Sequence, residues 1–111
     1  MSSDDGRPPY VEALAAKLVG SHVLVGITKL DHLGNLIEQI QYHGVVIAAD
    51  ANRGFQIELS GIRSGEFEWL PPDTRNFFEA KPGEYHLRST GETVVDPKFL
   101  STWTSRKHNP E

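Results

Sequence analysis

Tyr42-His43-Gly44-Val45-Val46-Ile47-Ala48-Ala49-Asp50, followed by a turn and then Phe55-Gln56-Ile57-Glu58-Leu59, is the stretch whose reading decides the fold. It reads as a strand, a tight reversal through Asp50-Ala51-Asn52-Arg53-Gly54, and a second strand. The first strand extends back to Leu36, so Leu36 to Ala49 is far longer than the ~5–6 residues of an ordinary flat strand. Gly44 stands where such a strand needs a bulge or a sharp bend. A single strand bent in this way can serve both halves of a small, closed antiparallel barrel.

Working towards the N-terminus, Asp31-His32-Leu33-Gly34-Asn35 reads as a turn. His22 to Leu30 reads as a strand with Val23, Val25 and Ile27 on one face. Leu24 and Leu30 lie on the other, which implies cover on both sides, by an N-terminal helix. That helix is expected from Tyr10 to Val19. Val11, Leu14 and Leu18 recur at helical spacing, Pro8 and Pro9 precede it, and Gly20 closes it.

Working towards the C-terminus, Phe55–Leu59 and Glu66–Trp69 alternate and flank the loop Ser60-Gly61-Ile62-Arg63-Ser64-Gly65. A hairpin centred on Arg63 puts Ile57, Leu59, Phe67 and Trp69 on one face. It puts Gln56, Glu58, Glu66 and Glu68 on the other, with Glu58 opposite Glu68. Leu70-Pro71-Pro72 stops the strand, because proline cannot donate to a ladder. Asp73 suits the N-cap of a short helix from Thr74 to Ala80. Glu84–Arg88, Thr93–Asp96 and Phe99–Thr104 are further short strands. Residues 1–7 are expected to be disordered, 8–104 to form one barrel domain with its helix, and 105–111 to be a frayed tail.

The 111 residues suit a single domain, with 38% hydrophobic and 23% charged content. No apolar run approaches the ~20 residues of a membrane helix, and the N-terminus is acidic, unlike a secretory signal. With no cysteine present, these features favour the cytoplasm. The formal net charge is −4 and the basic residues are scattered, which argues against nucleic acid as a partner.

Gly44-x-Val46-x-x-Ala49-Asp50 resembles the first motif of Sm-like proteins, and Gly91-x-x-Val94 resembles part of the second. The order of elements is similar to that of SH3-like and Sm-like barrels. The resemblance implies a mainly β fold of about five to seven strands, with an N-terminal helix and the short helix after Leu70-Pro71-Pro72. Its uracil-reading positions do not carry over, since Gly54 and Thr90 occupy them. Leu70-Pro71-Pro72-Asp73 and Pro82-Gly83-Glu84-Tyr85 are also similar to runs in small bacterial proteins of unassigned function, which implies no activity.

Three constellations remain. Trp69, Pro71, Pro72, Phe77 and Phe78 form the candidate partner surface, because a helix can bury only one of two adjacent phenylalanines. Glu58, Glu66 and Glu68 form a candidate acidic face, which Arg53, Arg63 or Arg75 could cover. His43 and His86 could meet inside a barrel beside a carboxylate such as Asp50 and form an acid–base site. No histidine pair has the helical spacing of a zinc site, and neither a phosphate loop nor a serine elbow is present. The expectation is a non-catalytic barrel without cofactor or metal. It binds protein, and it can self-associate through its edge strands. The alternatives are a nucleic-acid-binding Sm-like domain and, after it, a small hydrolase or isomerase using histidine acid–base chemistry.

Overall fold

The computed structural model describes residues 9–107. The short helix α1 (Glu12–Leu18) leads into β1 (His22–Leu30), β2 (Leu36–Asp50), β3 (Gly54–Leu59) and β4 (Phe67–Leu70). Then come β5 (Phe77–Glu79), β6 (Glu84–His86), β7 (Thr93–Val95) and β8 (Phe99–Arg106). Six strands form one sheet in the order β4-β3-β2-β1-β8-β5, and β6 and β7 form a separate hairpin. No helix among the described residues is long and apolar enough to cross a membrane.

One face of the sheet carries the core. Val23 and Val25 of β1, Tyr42 and Val46 of β2, and Phe55, Ile57 and Leu59 of β3 are buried there with Leu70, Phe77 and Phe99. Helix α1 seats Ala15 and Leu18 into the same cluster. Its end follows from Gly20, whose φ of +89° is a conformation that a side chain disfavours. Phe55 and Phe77 meet with ring centroids 4.8 Å apart, although β3 and β5 lie near opposite ends of the strand order. Only a strongly curled sheet permits that contact. Gly44 provides part of the curl: a Cβ there would fall on the carbonyl oxygen of Glu58 and lie 2.9 Å from Leu59 Cα. A bulge between Val46 and Ala48 provides more and leaves Ile47 exposed.

The fold is mainly β, as expected, but among the described residues the barrel does not close. β4 pairs only with β3, and β5 only with β8. The sheet is also mixed, because β8 runs parallel to β1 from Val23↔Phe99 to Leu30↔Arg106. After β5 the chain makes the β6–β7 excursion and enters β8 in the direction of β1.

The expected helix after the proline stop is a single 3₁₀ turn, Thr74–Asn76, followed by strand β5. Asp73 does cap it, accepting from the Arg75 N–H at 3.0 Å. Beyond that turn, strand geometry puts the two phenylalanines on opposite sides, Phe77 buried and Phe78 exposed. Helix α1 is shorter than expected and leaves Val11 exposed. It covers the inner face, whereas the β6–β7 hairpin reaches the outer face at Gln41 and His43. Ser105 and Arg106 are not frayed but end β8, and the Lys107 N–H donates to the Leu30 carbonyl at 2.7 Å. The expected disorder of residues 1–7 and the fraying of 108–111 lie outside the described residues.

Candidate functional site

The β3–β4 hairpin positions two exposed aromatic side chains, Phe67 and Trp69. Its loop holds a 3₁₀ turn, Gly61–Arg63, and closes with the Leu59 N–H donating to the Glu66 carbonyl at 2.9 Å. The residues between that pair are even in number, so the loop cannot centre on a single residue. The register is Glu58↔Phe67, Ile57↔Glu68, Gln56↔Trp69 and Phe55↔Leu70. This is one residue away from the expected register, and such a slip moves every side chain of a strand to the other face. Phe67 and Trp69 therefore sit on the outer face with Glu58 and Gln56, while Glu68 shares the inner face with Ile57.

Antiparallel ladders alternate between bonded and non-bonded pairs. With Leu59 and Glu66 a bonded pair, Ile57–Glu68 and Phe55–Leu70 are bonded too. The N–H and C=O groups of Phe67 and Trp69 then point away from β3, onto the free edge of β4. The same residues expose 51% and 39% of their surface. The Arg53 guanidinium lies 4.8 Å from the centroid of the Trp69 ring, an attraction of ~0.5–1 kcal/mol at an exposed site.

The expected partner surface is divided between two places. Trp69 lies on β4, with Pro71 exposed and Pro72 half-buried just beyond it. Phe78 is exposed on β5, the opposite edge of the sheet, and Phe77 is buried in the core. Phe67, which the expected register had turned inward, takes the place beside Trp69.

The three glutamates do not share one face. Glu66 and Glu68 both pair with Arg63 at 2.7 Å, and the hydrogen bonds it donates to Glu66 and then to Glu68 push the Arg63 guanidinium further towards its charged form. Arg63 also lies 5.4 Å from the Tyr42 ring centroid. Glu58 stays exposed on the outer face beside Phe67.

The histidines combine differently from the expected pair. His86 is exposed on β6 and bonds to Thr93 Oγ1 at 3.0 Å. Asp50 caps its own turn, accepting from the N–H groups of Asn52 and Arg53. Neither reaches His43. Instead, His43 Nδ1 lies 2.9 Å from His22 Nε2, and His43 Nε2 lies 3.3 Å from Glu92 Oε2. His22 and His43 are diagonal neighbours on the outer face of β1 and β2, and Glu92 reaches them from the β6–β7 hairpin. Glu92 also accepts from the Ile62 N–H at 3.0 Å. One tautomer set satisfies the chain: His43 Nε2–H donates to Glu92, and His22 Nε2–H donates to His43 Nδ1.

Burial, and then the neighbouring His43, push His22 below the usual histidine range. Burial alone would raise Glu92, but hydrogen bonds from Ile62, Thr90 and His43 outweigh it and hold the carboxyl below the usual range. Among the described residues no three His, Asp or Glu side chains are grouped so as to hold a metal ion. A cleft of about 420 Å³ between α1, β5 and β8 is lined by Lys17, Ser21, Glu79 and Lys98, and it excludes the histidine chain. No family model, curated protein or solved structure matches this chain.

Proposed function

We propose that this chain is a non-catalytic protein-binding domain that takes up an extended strand on the free edge of β4. We read its frame as an unclosed counterpart of the small SH3-like and Sm-like barrels. One observation carries the proposal. The residues whose backbone groups face the open edge, Phe67 and Trp69, also present exposed aromatic side chains. Strand addition uses both features, with main-chain hydrogen bonds for affinity and alternate side chains for selectivity. Charge argues for protein over nucleic acid, because the basic residues next to the edge are already engaged, Arg63 with Glu66 and Glu68 and Arg53 with Trp69.

An acid–base role has one observation in its favour, the chain Glu92–His43–His22. Among the described residues His22 bonds to no hydroxyl group that could serve as a nucleophile, so we rank this reading second.

Selection of random peptides displayed on phage tests the proposal. The wild-type domain is expected to enrich extended sequences of alternating apolar residues. Trp69→Pro, which deletes an edge N–H while leaving the bonded pairs with β3 intact, is expected to lose them. Enrichment that is absent, or equal on both proteins, would overturn the proposal.

A further inference from the structure

We infer that the outer face of the sheet around Gly26 binds a neutral saccharide, held by Gln39 and Gln41 on one side and by Thr102 and Thr104 on the other. The site lies apart from the β4 edge and does not depend on the strand-addition reading.

Gly26 is the one described glycine that the fold does not explain. Every other has a positive φ or, at Gly44, main-chain atoms where a Cβ would stand. Gly26 has neither, and the described residues leave open space around a Cβ built there. Glycine inside a strand weakens it, and it marks a bulge, a bend or a place where a ligand or another backbone comes close. The ladders run unbroken through Gly26 on both sides, from Val25↔Tyr42 to Ile27↔Ile40 and from Val25↔Ser101 to Ile27↔Trp103. No backbone of the described residues approaches it. A ligand is the explanation left.

A trough of about 220 Å³ lies over this glycine. Its outward side chains form two rows across three strands, Gln41–Gly26–Thr102 and Gln39–Thr28–Thr104. In the first row the missing side chain leaves a gap two strand spacings wide, ~10 Å from Gln41 to Thr102. Ile27, Ile40 and Trp103 alternate to the inner face and pack against the core, so only their main chain faces the trough.

The lining selects the ligand. No charged side chain lines the trough, so an ion would find no opposite charge to offset its lost hydration. No aliphatic or aromatic side chain faces it, so a hydrocarbon would gain little. Two amides and three hydroxyls remain, and together they both donate and accept. Gln39 Nε2 lies 3.4 Å from Thr28 Oγ1, and Gln41 Oε1 accepts from the Ser89 N–H at 3.1 Å. These contacts orient the amides and leave the Gln41 NH₂ group and Gln39 Oε1 to a ligand. Closely spaced donors and acceptors without charge complement the hydroxyls of a sugar. The trough is smaller than the ~300–1,000 Å³ of drug-sized sites, which suits one sugar residue with its C–H face over Gly26.

Titration followed by amide chemical shifts tests the inference. The probes are neutral trisaccharides of glucose, mannose and N-acetylglucosamine, with blocked tetra-alanine as a neutral peptide. At least one trisaccharide is expected to give saturable shifts at the Gly26, Thr28, Gln41 and Thr102 amides, with a Kd of about 1–10 mM. Gly26→Val is expected to weaken that binding at least about tenfold. Its thermal midpoint is expected to equal or exceed that of wild type, because valine suits a strand and has room there. Thr102→Val removes one exposed hydroxyl and is expected to weaken binding about three- to tenfold. No shift at those amides with any of the three sugars at about 50 mM overturns the inference, and so does binding unchanged in both variants. A Gly26→Val protein that melts well below wild type would show that the fold itself needs this glycine, which removes the ground for a ligand. Equal or larger shifts with blocked tetra-alanine overturn the sugar as occupant.

Discussion

The outer face of the sheet has two halves that differ in what covers them. At the middle of β2, where Gln41 accepts from the Ser89 N–H and His43 meets Glu92, lies the β6–β7 hairpin. The hairpin's own Leu87 and Val94 are buried, and Glu92 is tied to His43 and to the Ile62 N–H. Over the end of β2, β3 and β4 Arg53 stacks on Trp69, yet Ile47, Phe67 and Trp69 are exposed. A sheet with apolar side chains on both faces needs two covers. The chain supplies the inner one with α1 and half of the outer one with its hairpin. Under the strand-addition proposal, the bare half is where an external strand would complete the structure.

The sharpest break in this comparison comes from truncating one residue in each half. Leu87→Ala is expected to cost about 2–5 kcal/mol, because a buried leucine leaves a cavity under the hairpin. Urea unfolding measures it, and a cost near zero would mean that the hairpin contributes no cover. Gly44→Ala strikes the bend between the halves. Its Cβ would fall on main-chain atoms of Glu58 and Leu59 that cannot swing aside, so a loss of about 1–3 kcal/mol is expected in the same assay.

The histidine chain sharpens the comparison through pH. The folded state holds the lowered His22, so between that lowered value and the ordinary 6.5 the unfolded chain binds more protons. Its contribution is complete above about pH 6.5 and is lost as pH falls. Lowered Glu92 adds a second loss below its ordinary 4.5. His22→Gln is expected to flatten the dependence between pH 7 and 5 in thermal melts, and an unchanged slope would remove His22 as its source. Glu92→Gln is expected to cost about 1 kcal/mol at pH 7 and to quicken amide exchange in the hairpin more than in β3. The smallest effect belongs to the bare half. Phe67→Thr is expected to change monomer stability by within about 0.5 kcal/mol, and a larger loss would show that Phe67 is already covered.

Much of the fold was legible from local signals. The long strand with its glycine bend, the Asp31–Asn35 turn, the glycine end of α1 and the core face of β1 all follow from residue type and period. What failed was pairing. Alternation in Glu66–Trp69 shows that two faces exist, but the loop decides which face is which. Assuming a loop centred on Arg63 turned Phe67 and Trp69 inward. The parallel partner of β1 was hidden for a related reason: periodicity marks β8 as a strand and says nothing about its neighbour. Phe77-Phe78 after an Asp cap fits a helix until β8 is available to pair. Of the histidine chain, His22 and His43 could be paired only by knowing that the register shifts between Lys29 and Leu30, because an unbroken register from the Asp31–Asn35 turn sets them on opposite faces. Glu92 could not, because its position depends on the hairpin folding over the sheet, more than forty residues away in sequence.

Hydrogen–deuterium exchange at the Phe67 and Trp69 amides, followed with and without a phage-selected strand peptide, probes the open edge directly. Fast exchange in the free protein and marked protection on adding the peptide, limited to β4, is the expected result. Exchange at those two amides that is slow in the free protein, or equally fast with and without the peptide, would contradict it.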